Sequence, residues 1–460
     1  MNIAALLNQF AGLVWGLPLV LLLVGAGIFF TYYTSGIQFS QFRHSLQCLS
    51  GRFDKASDPG EISHFQALSA ALSATIGLGN IAGVAIAIHT GGPGAVFWMW
   101  VTGLVGMATK FVSCSLAVMF RQHHKDGSVS GGPMHYIELG LGKKWKPLAI
   151  AFALFGIAAS FGVGNMFQSN QAAAILSDSF LVPKPLTGMV LAALVSFVII
   201  GGIKRIGKVA AKMVPGMCLI YMLGALYVLV INATKIPGLF FTILHDAFTG
   251  TAAIGGIVGI AFKDVVIQGV RRACFSNEAG LGSAPMVHGA AKTKEPIREG
   301  TVAMIGPFID TIVICTMTAL VILITEAWTQ DLNGITLAVF AFDSALEGFG
   351  KYFVSIGVFL FAFSTMISWS YYGEKCSEYL FGEKSILTFK AVFVTFTFIG
   401  AVWELGAVLD FSDAMAGLMA IPNLIGMTFL ARKVVTASAD YFSRMKSASI
   451  SQGNKAMEHK

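Results

Sequence analysis

The chain has 460 residues, of which 55% are hydrophobic and only 12% charged, against roughly 25% charged in an average soluble domain. With a mean hydropathy of +0.72, it lacks the polar surface that a soluble protein of this length needs around its core. This argues against a soluble enzyme, a disordered chain or a nucleic-acid-binding domain, and the net charge of +7 fits the cationic cytoplasmic loops of a membrane protein better than a polyanion partner.

The first charged side chain is Arg43, and an apolar run covers 13–34 with no basic segment before it. That pattern predicts a retained first span, not a cleaved signal peptide. Charge-poor runs of spanning length follow at 65–90, 95–120, 147–177, 185–203, 208–232, 299–325, 351–373, 386–404 and 411–431. Between them, 264–291 reads as one span broken by glycines and charges, and 237–262 as a segment lying partly on the membrane surface. The total is eleven spans, followed by a polar, mobile cytoplasmic tail from about 434–436 to 460. The six cysteines, Cys48, Cys114, Cys218, Cys274, Cys315 and Cys376, form no CxxC pair and read as small core residues.

Loop charge gives the orientation. With the N-terminus outside and the C-terminus cytoplasmic, 24 Lys and Arg face the cytoplasm, from Arg43 through Arg121, Lys204, Lys292 and Lys375 to Lys460. Five face outside: Lys184, Lys235, Lys351, Arg271 and Arg272. This bias places the protein as a multi-pass component of the plasma (inner) membrane.

Two segments resemble each other. Ala74-Thr75-Ile76-Gly77-Leu78-Gly79-Asn80 lies in the second span and Asn277-Glu278-Ala279-Gly280-Leu281-Gly282-Ser283 in the seventh, their Gly-Leu-Gly units 203 residues apart. Five spans separate them, so the two helices run in opposite directions. Glycine interruptions at matched positions of an inverted repeat point to the binding site of a secondary transporter; close packing of helices through small residues is the competing explanation. Gly77 lies 13 residues beyond His64 at the inner edge, roughly 20 Å along a helix and near the middle of a ~30 Å hydrocarbon core.

Several longer motifs make a resemblance specific. They are Gly91-Gly92-Pro93-Gly94-Ala95-Val96-Phe97-Trp98-Met99-Trp100, Gly106-Met107-Ala108-Thr109-Lys110-Phe111, Gly131-Gly132-Pro133-Met134 and Phe275-Ser276-Asn277-Glu278-Ala279-Gly280-Leu281-Gly282-Ser283-Ala284-Pro285. Phe308-Ile309-Asp310-Thr311 with Cys315-Thr316-Met317-Thr318 belongs with them. From about residue 60 to 430 the chain resembles the alanine or glycine:cation symporter family. The resemblance implies an all-α integral membrane protein in which one N-terminal helix (1–60, with its loop) precedes a LeuT-type core. The core would be two inverted five-helix repeats at 61–235 and 236–433. It implies import of a small neutral amino acid coupled to sodium or protons, with no cofactor beyond the coupling ion. The expected partners are the substrate, sodium and the lipid bilayer, with no nucleic acid and no protein partner.

An amino acid offers a carboxylate and an ammonium group. N–H groups freed at Gly77, Gly79 and Asn80, beside Thr75, suit the carboxylate; carbonyls freed between Phe275 and Gly280 suit the ammonium. Asn165 and Gln168 stand three apart on one helical face and read either as ligand contacts or as polar links between helices. Trp369, four residues after Thr365, and Phe275 are candidate pocket walls. The resemblance also implies a sodium site from the Ser364 and Thr365 hydroxyls with the Ser73 and Ile76 carbonyls, and a second from Thr75, Asn80 and Ser276. Asp310, about 16 Å deep in the eighth span, is a candidate sodium ligand; it and Glu278 either neutralise a cation, carry a proton, or pair with Lys110. Lys110 itself is placed toward the cytoplasm, where it can snorkel. His64, His89, His123, His124 and His135 read as unremarkable helix-end or loop residues. No nucleophile–base triad, phosphate loop or metal-ligand cluster is visible, so an enzyme is not expected. The leading expectation is a cation-driven importer of alanine or glycine; the alternatives are a proton-coupled carrier or antiporter of another small metabolite, or a channel.

Overall fold

The computed structural model describes residues 3–55, 57–125, 127–249 and 261–458, and those residues are almost entirely helical. Among the described residues, eight helices are long and apolar enough to cross a membrane. They are Ala5–Tyr33, Ala95–Met119, Lys143–Phe180, Gly202–Ile231, Pro296–Ile324, Gly350–Phe381, Ser385–Val402 and Val408–Ser447. A ninth is the pair His64–Thr75 and Leu78–Gly91, bent by 56° at its break. Two of the eleven expected spans fall short of that length. The 185–203 run forms Lys184–Ile199, only 16 residues long, and 264–291 divides into Phe262–Asn277 and Ala284–His288. A full crossing takes about 20 residues. Of the expected surface segment 237–262, the apolar helix Ile236–Thr249 is present, while 250–260 lies outside the described residues.

Local chemistry starts and stops these helices. Ser63 and Gln66 form a reciprocal capping box that opens His64–Thr75, satisfying two of the N–H groups that a helix start leaves unpaired. At the other end Ile76 leaves helical geometry (φ −76°, ψ 88°). In the second interrupted helix Glu278 adopts a left-handed conformation (φ 57°), followed by Gly280 and Gly282 at φ 86° and 90°. Glycine reaches these angles without a Cβ penalty, so the chain turns out of the helix there.

The segment from about 434 that reads as a polar tail is helical. The last helix, Leu405–Glu458, continues without interruption, and its turns around Tyr441 and Arg444 pack on the body of the protein. Tyr441 is buried, its hydroxyl 3.0 Å from His44 Nε2. Arg444 donates to both carboxylate oxygens of Glu295 at 2.8 and 3.0 Å.

Candidate functional site

The two interruptions meet in the centre of the helical body. A Cβ on Gly79 would sit 3.0 Å from Ser276 Cα, so the approach of the second broken helix leaves little room for a side chain there. A Cβ on Gly77 would sit 2.4 Å from Thr365 Oγ1. Of the N–H groups expected to be free at the first break, that of Gly77 donates to Asn80 Oδ1 at 3.0 Å and that of Asn80 to the Gly77 carbonyl at 3.2 Å, while neighbouring Leu78 N–H donates to Gln168 Oε1 at 3.4 Å.

One turn earlier, the Ser73 carbonyl accepts from the Ser364 hydroxyl (3.3 Å) and the Thr365 hydroxyl (3.2 Å). Ser73 Oγ in turn donates to the Ser364 carbonyl at 2.7 Å. This cluster joins His64–Thr75 to Gly350–Phe381 with oxygen atoms alone, the ligand type that hard cations take. Ser73, Ile76, Ser364 and Thr365 are all buried.

On the opposite side of the break Asp310 gathers the polar groups. Its carboxylate accepts from Asn80 Nδ2 (2.6 Å), Ser276 Oγ (2.9 and 3.1 Å) and Thr311 Oγ1 (2.8 Å). It lies in a π-helical turn, Phe308–Cys315, a geometry that frequently marks functional positions. Among the described residues no carboxylate lies within 4 Å of Lys110 Nζ, so neither Asp310 nor Glu278 forms an ion pair with it. The expectation that Lys110 snorkels is also overturned: the residue is 2% exposed, its whole side chain surrounded by neighbouring helices. Glu278 accepts instead from Ser283 Oγ at 2.5 Å.

The remaining candidates divide. Gln168 reaches the first break, whereas Asn165 donates to the Phe393 carbonyl at 2.7 Å and faces a different helix. A π-turn at Gly162–Met166 changes the register that put both on one face. Thr75 bonds back to the Ala71 carbonyl of its own helix at 3.2 Å. Gly280 lies away from the first break; its carbonyl accepts from Asn423 Nδ2 at 2.7 Å. Phe275 packs edge-on against Phe167, ring centres 5.2 Å apart. Trp369 is buried against Gly164, where a Cβ would come within 2.1 Å of it. A separate cavity of about 380 Å³, lined in part by Asp178, Ser179, Thr336 and Asp343, contains none of the candidate residues.

On either side of the centre, buried polar groups pair in ways the sequence reading did not anticipate. Toward the Phe262 side, Asp413 accepts from Arg271 at 2.5 Å and Arg272 at 2.6 Å. Arg272 is 2% exposed and is no loop cation. Toward the His64 side, Arg121 donates to the carbonyls of Pro59, Gly289, Ala291 and Thr293 at 2.6–3.0 Å. His64 is also no bland helix end: it is buried and bonded to Glu299. These partners lie far apart in sequence, and no local pattern announces them.

A sequence model described as the sodium:alanine symporter family matches residues 1–455. The chain is similar to the sodium/alanine symporter AgcS of Methanococcus maripaludis, 45% identical over 95% of this chain and 96% of that protein. An uncharacterized transporter of Haemophilus influenzae is 41% identical over 97% and 98%. The probable sodium/glutamine symporter GlnT of Bacillus subtilis is 37% identical over 94% and 90%. Among solved structures, MhsT in complex with L-phenylalanine aligns with a TM-score of 0.59 at 15% identity, covering 81% of this chain and 89% of that one. At that identity the likeness speaks for the fold alone.

Proposed function

The chain belongs to the sodium:alanine symporter family, a family of membrane transporters and not of enzymes, and from that premise we propose that this cation-coupled amino-acid symporter imports alanine or glycine with sodium. The observation that carries the reading is the Ser73 carbonyl, which receives the Ser364 and Thr365 hydroxyls at the first break. Three oxygens from two helices converge there, and a sodium ion takes several oxygen ligands. The Ile76 carbonyl, turned out of the helix one turn on, completes the proposed set.

In this reading the substrate lies between the two interruptions. Its carboxylate meets the amides around Gly77 and Gly79, with Thr75, Asn80, Gln168 and Thr365 beside it. Its ammonium faces the second break between Phe275 and Gly280, and Trp369 and Asn165 support the wall. Asp310, with Ser276, supplies the negative charge that balances a cation near the centre. The eleven crossings comprise the 1–60 segment and inverted five-helix repeats at 61–235 and 236–433; the matched breaks support this division. The N-terminus lies outside and the C-terminus in the cytoplasm of an inner-membrane protein, as the loop charges favour. Transport then alternates access between the Arg272–Asp413 side and the Arg121–Glu299 side.

Uptake of labelled alanine and glycine into proteoliposomes tests this, with sodium replaced by choline and pH varied separately. Saturable uptake that requires an inward sodium gradient is the expected result. Uptake that follows the pH gradient alone identifies a proton-coupled carrier, and non-saturating flux a channel.

A further inference from the structure

The inner halves of both interrupted helices end on the same side chain. His64 opens the helix His64–Thr75, and His288 closes Ala284–His288. Glu299, on the helix Pro296–Ile324, lies between them and is 0% exposed. One carboxylate oxygen faces His64 Nδ1 and the other faces His288 Nδ1, the latter at 2.5 Å. A carboxylate accepts only, so each Nδ1 carries the hydrogen. Among the described residues no other carboxylate bonds both helix ends. Around this contact Glu61 N–H donates to the Ala290 carbonyl at 2.8 Å, Lys292 N–H donates to the Ile62 carbonyl at 2.8 Å, and Arg121 spans the same seam.

We propose that Glu299 is the positioning residue of the cytoplasmic gate: its two oxygens hold the inner ends of both broken helices together, and release of these contacts opens the site to the cytoplasm. This rests on the alternating-access reading above. Glu299 is remote from the substrate and sodium candidates and acts through the two imidazoles. Buried and doubly bonded, the carboxylate loses a partner as soon as either helix end moves, and an unpartnered buried charge is costly. The closed gate is therefore a discrete state and not a continuum of loosened ones.

Amide hydrogen exchange on the purified full-length protein, with saturating sodium and alanine, tests the proposal. Glu299→Gln keeps one acceptor oxygen, so one imidazole loses its partner. Exchange in 61–75 and 284–293 is expected to rise about tenfold or more, while 262–277 stays at the wild-type level and alanine still binds. In His288→Gln, which leaves the carboxylate on His64, the rise is expected in 284–293. Wild-type exchange in these inner segments overturns the proposal, and so does a rise spread evenly along the chain. If Glu299→Gln does not fold, His288→Gln decides. Wild-type protein that takes up no amino acid under any cation gradient refutes the transport reading, and that result is independent of the exchange pattern.

Discussion

Asn80 Nδ2 bonds Asp310 twice, at 2.6 Å to the side-chain oxygen and 3.2 Å to the backbone carbonyl. The residue that ends the first interruption is thereby fixed to a carboxylate on another helix, and Asn80 Oδ1 passes the constraint back to Gly77 N–H. The shape of the break and the charge beside it are one unit.

Asp310→Asn keeps the shape and removes the charge. Its new amide group also presents hydrogens toward Ser276 and Thr311, which already donate there. Uptake at saturating alanine is expected to fall by at least about tenfold, equivalent to ~1.4 kcal/mol, and its cation dependence to change. Adding Lys110→Gln is not expected to restore transport, because the two groups form no ion pair. Recovery of transport with normal cation dependence in the double variant would refute an ion-linked role for Asp310.

Gly77→Ala places a methyl carbon 2.4 Å from Thr365 Oγ1. The backbone at Gly77 is extended, so the cost comes from the close approach and not from the dihedral angles. Alanine binding is expected to weaken by more than about tenfold, on the ~1–3 kcal/mol scale of overpacking, while the protein remains monodisperse. Equilibrium binding of labelled alanine reads this directly, and unchanged affinity in the folded variant would remove Gly77 from the site.

Thr365→Ala deletes one of the two hydroxyls on the Ser73 carbonyl. Loss of a buried polar partner costs about 1–3 kcal/mol, which here takes the form of a raised sodium requirement. A sodium titration of alanine uptake should shift to higher concentration, with high sodium partly restoring the rate. An unshifted titration would mean that Thr365 only packs between its helices.

How much of this was legible in the sequence depends on the range of the contact. The interruption at Gly77 is written locally, because Gly-Leu-Gly inside an apolar run removes the Cβ groups that favour a regular helix. The long apolar runs likewise mark most spans, but a run does not show where its helix ends, and Lys184–Ile199 is shorter than the run suggested. Same-face arithmetic failed for Asn165 and Gln168 because a π-turn intervenes. Lys110 was given the wrong surroundings, since burial depends on neighbouring helices. Glu299 meets His64 across 235 positions of sequence, and Asp413 meets Arg272 across 141; only the folded packing creates those pairs.

Asp413→Ala leaves Arg271 and Arg272 without their shared carboxylate. Arg272 and Asp413 are almost wholly buried, and removing one partner of such a pair typically costs about 3–5 kcal/mol. A clear fall in thermal stability is expected in a fluorescence-detected melting experiment. An unchanged melting temperature would show that this buried ion pair contributes nothing to stability.

The central claim is that sodium and the amino acid occupy coupled sites at one pair of helix breaks, and calorimetric titration of the purified protein tests it most directly. Alanine is titrated in sodium and in choline, and sodium is then titrated with and without alanine. Coupled sites require reciprocity: the factor by which sodium strengthens alanine binding must equal the factor by which alanine strengthens sodium binding. A shared factor of about tenfold or more is expected, and equal alanine affinity in sodium and choline would contradict the account.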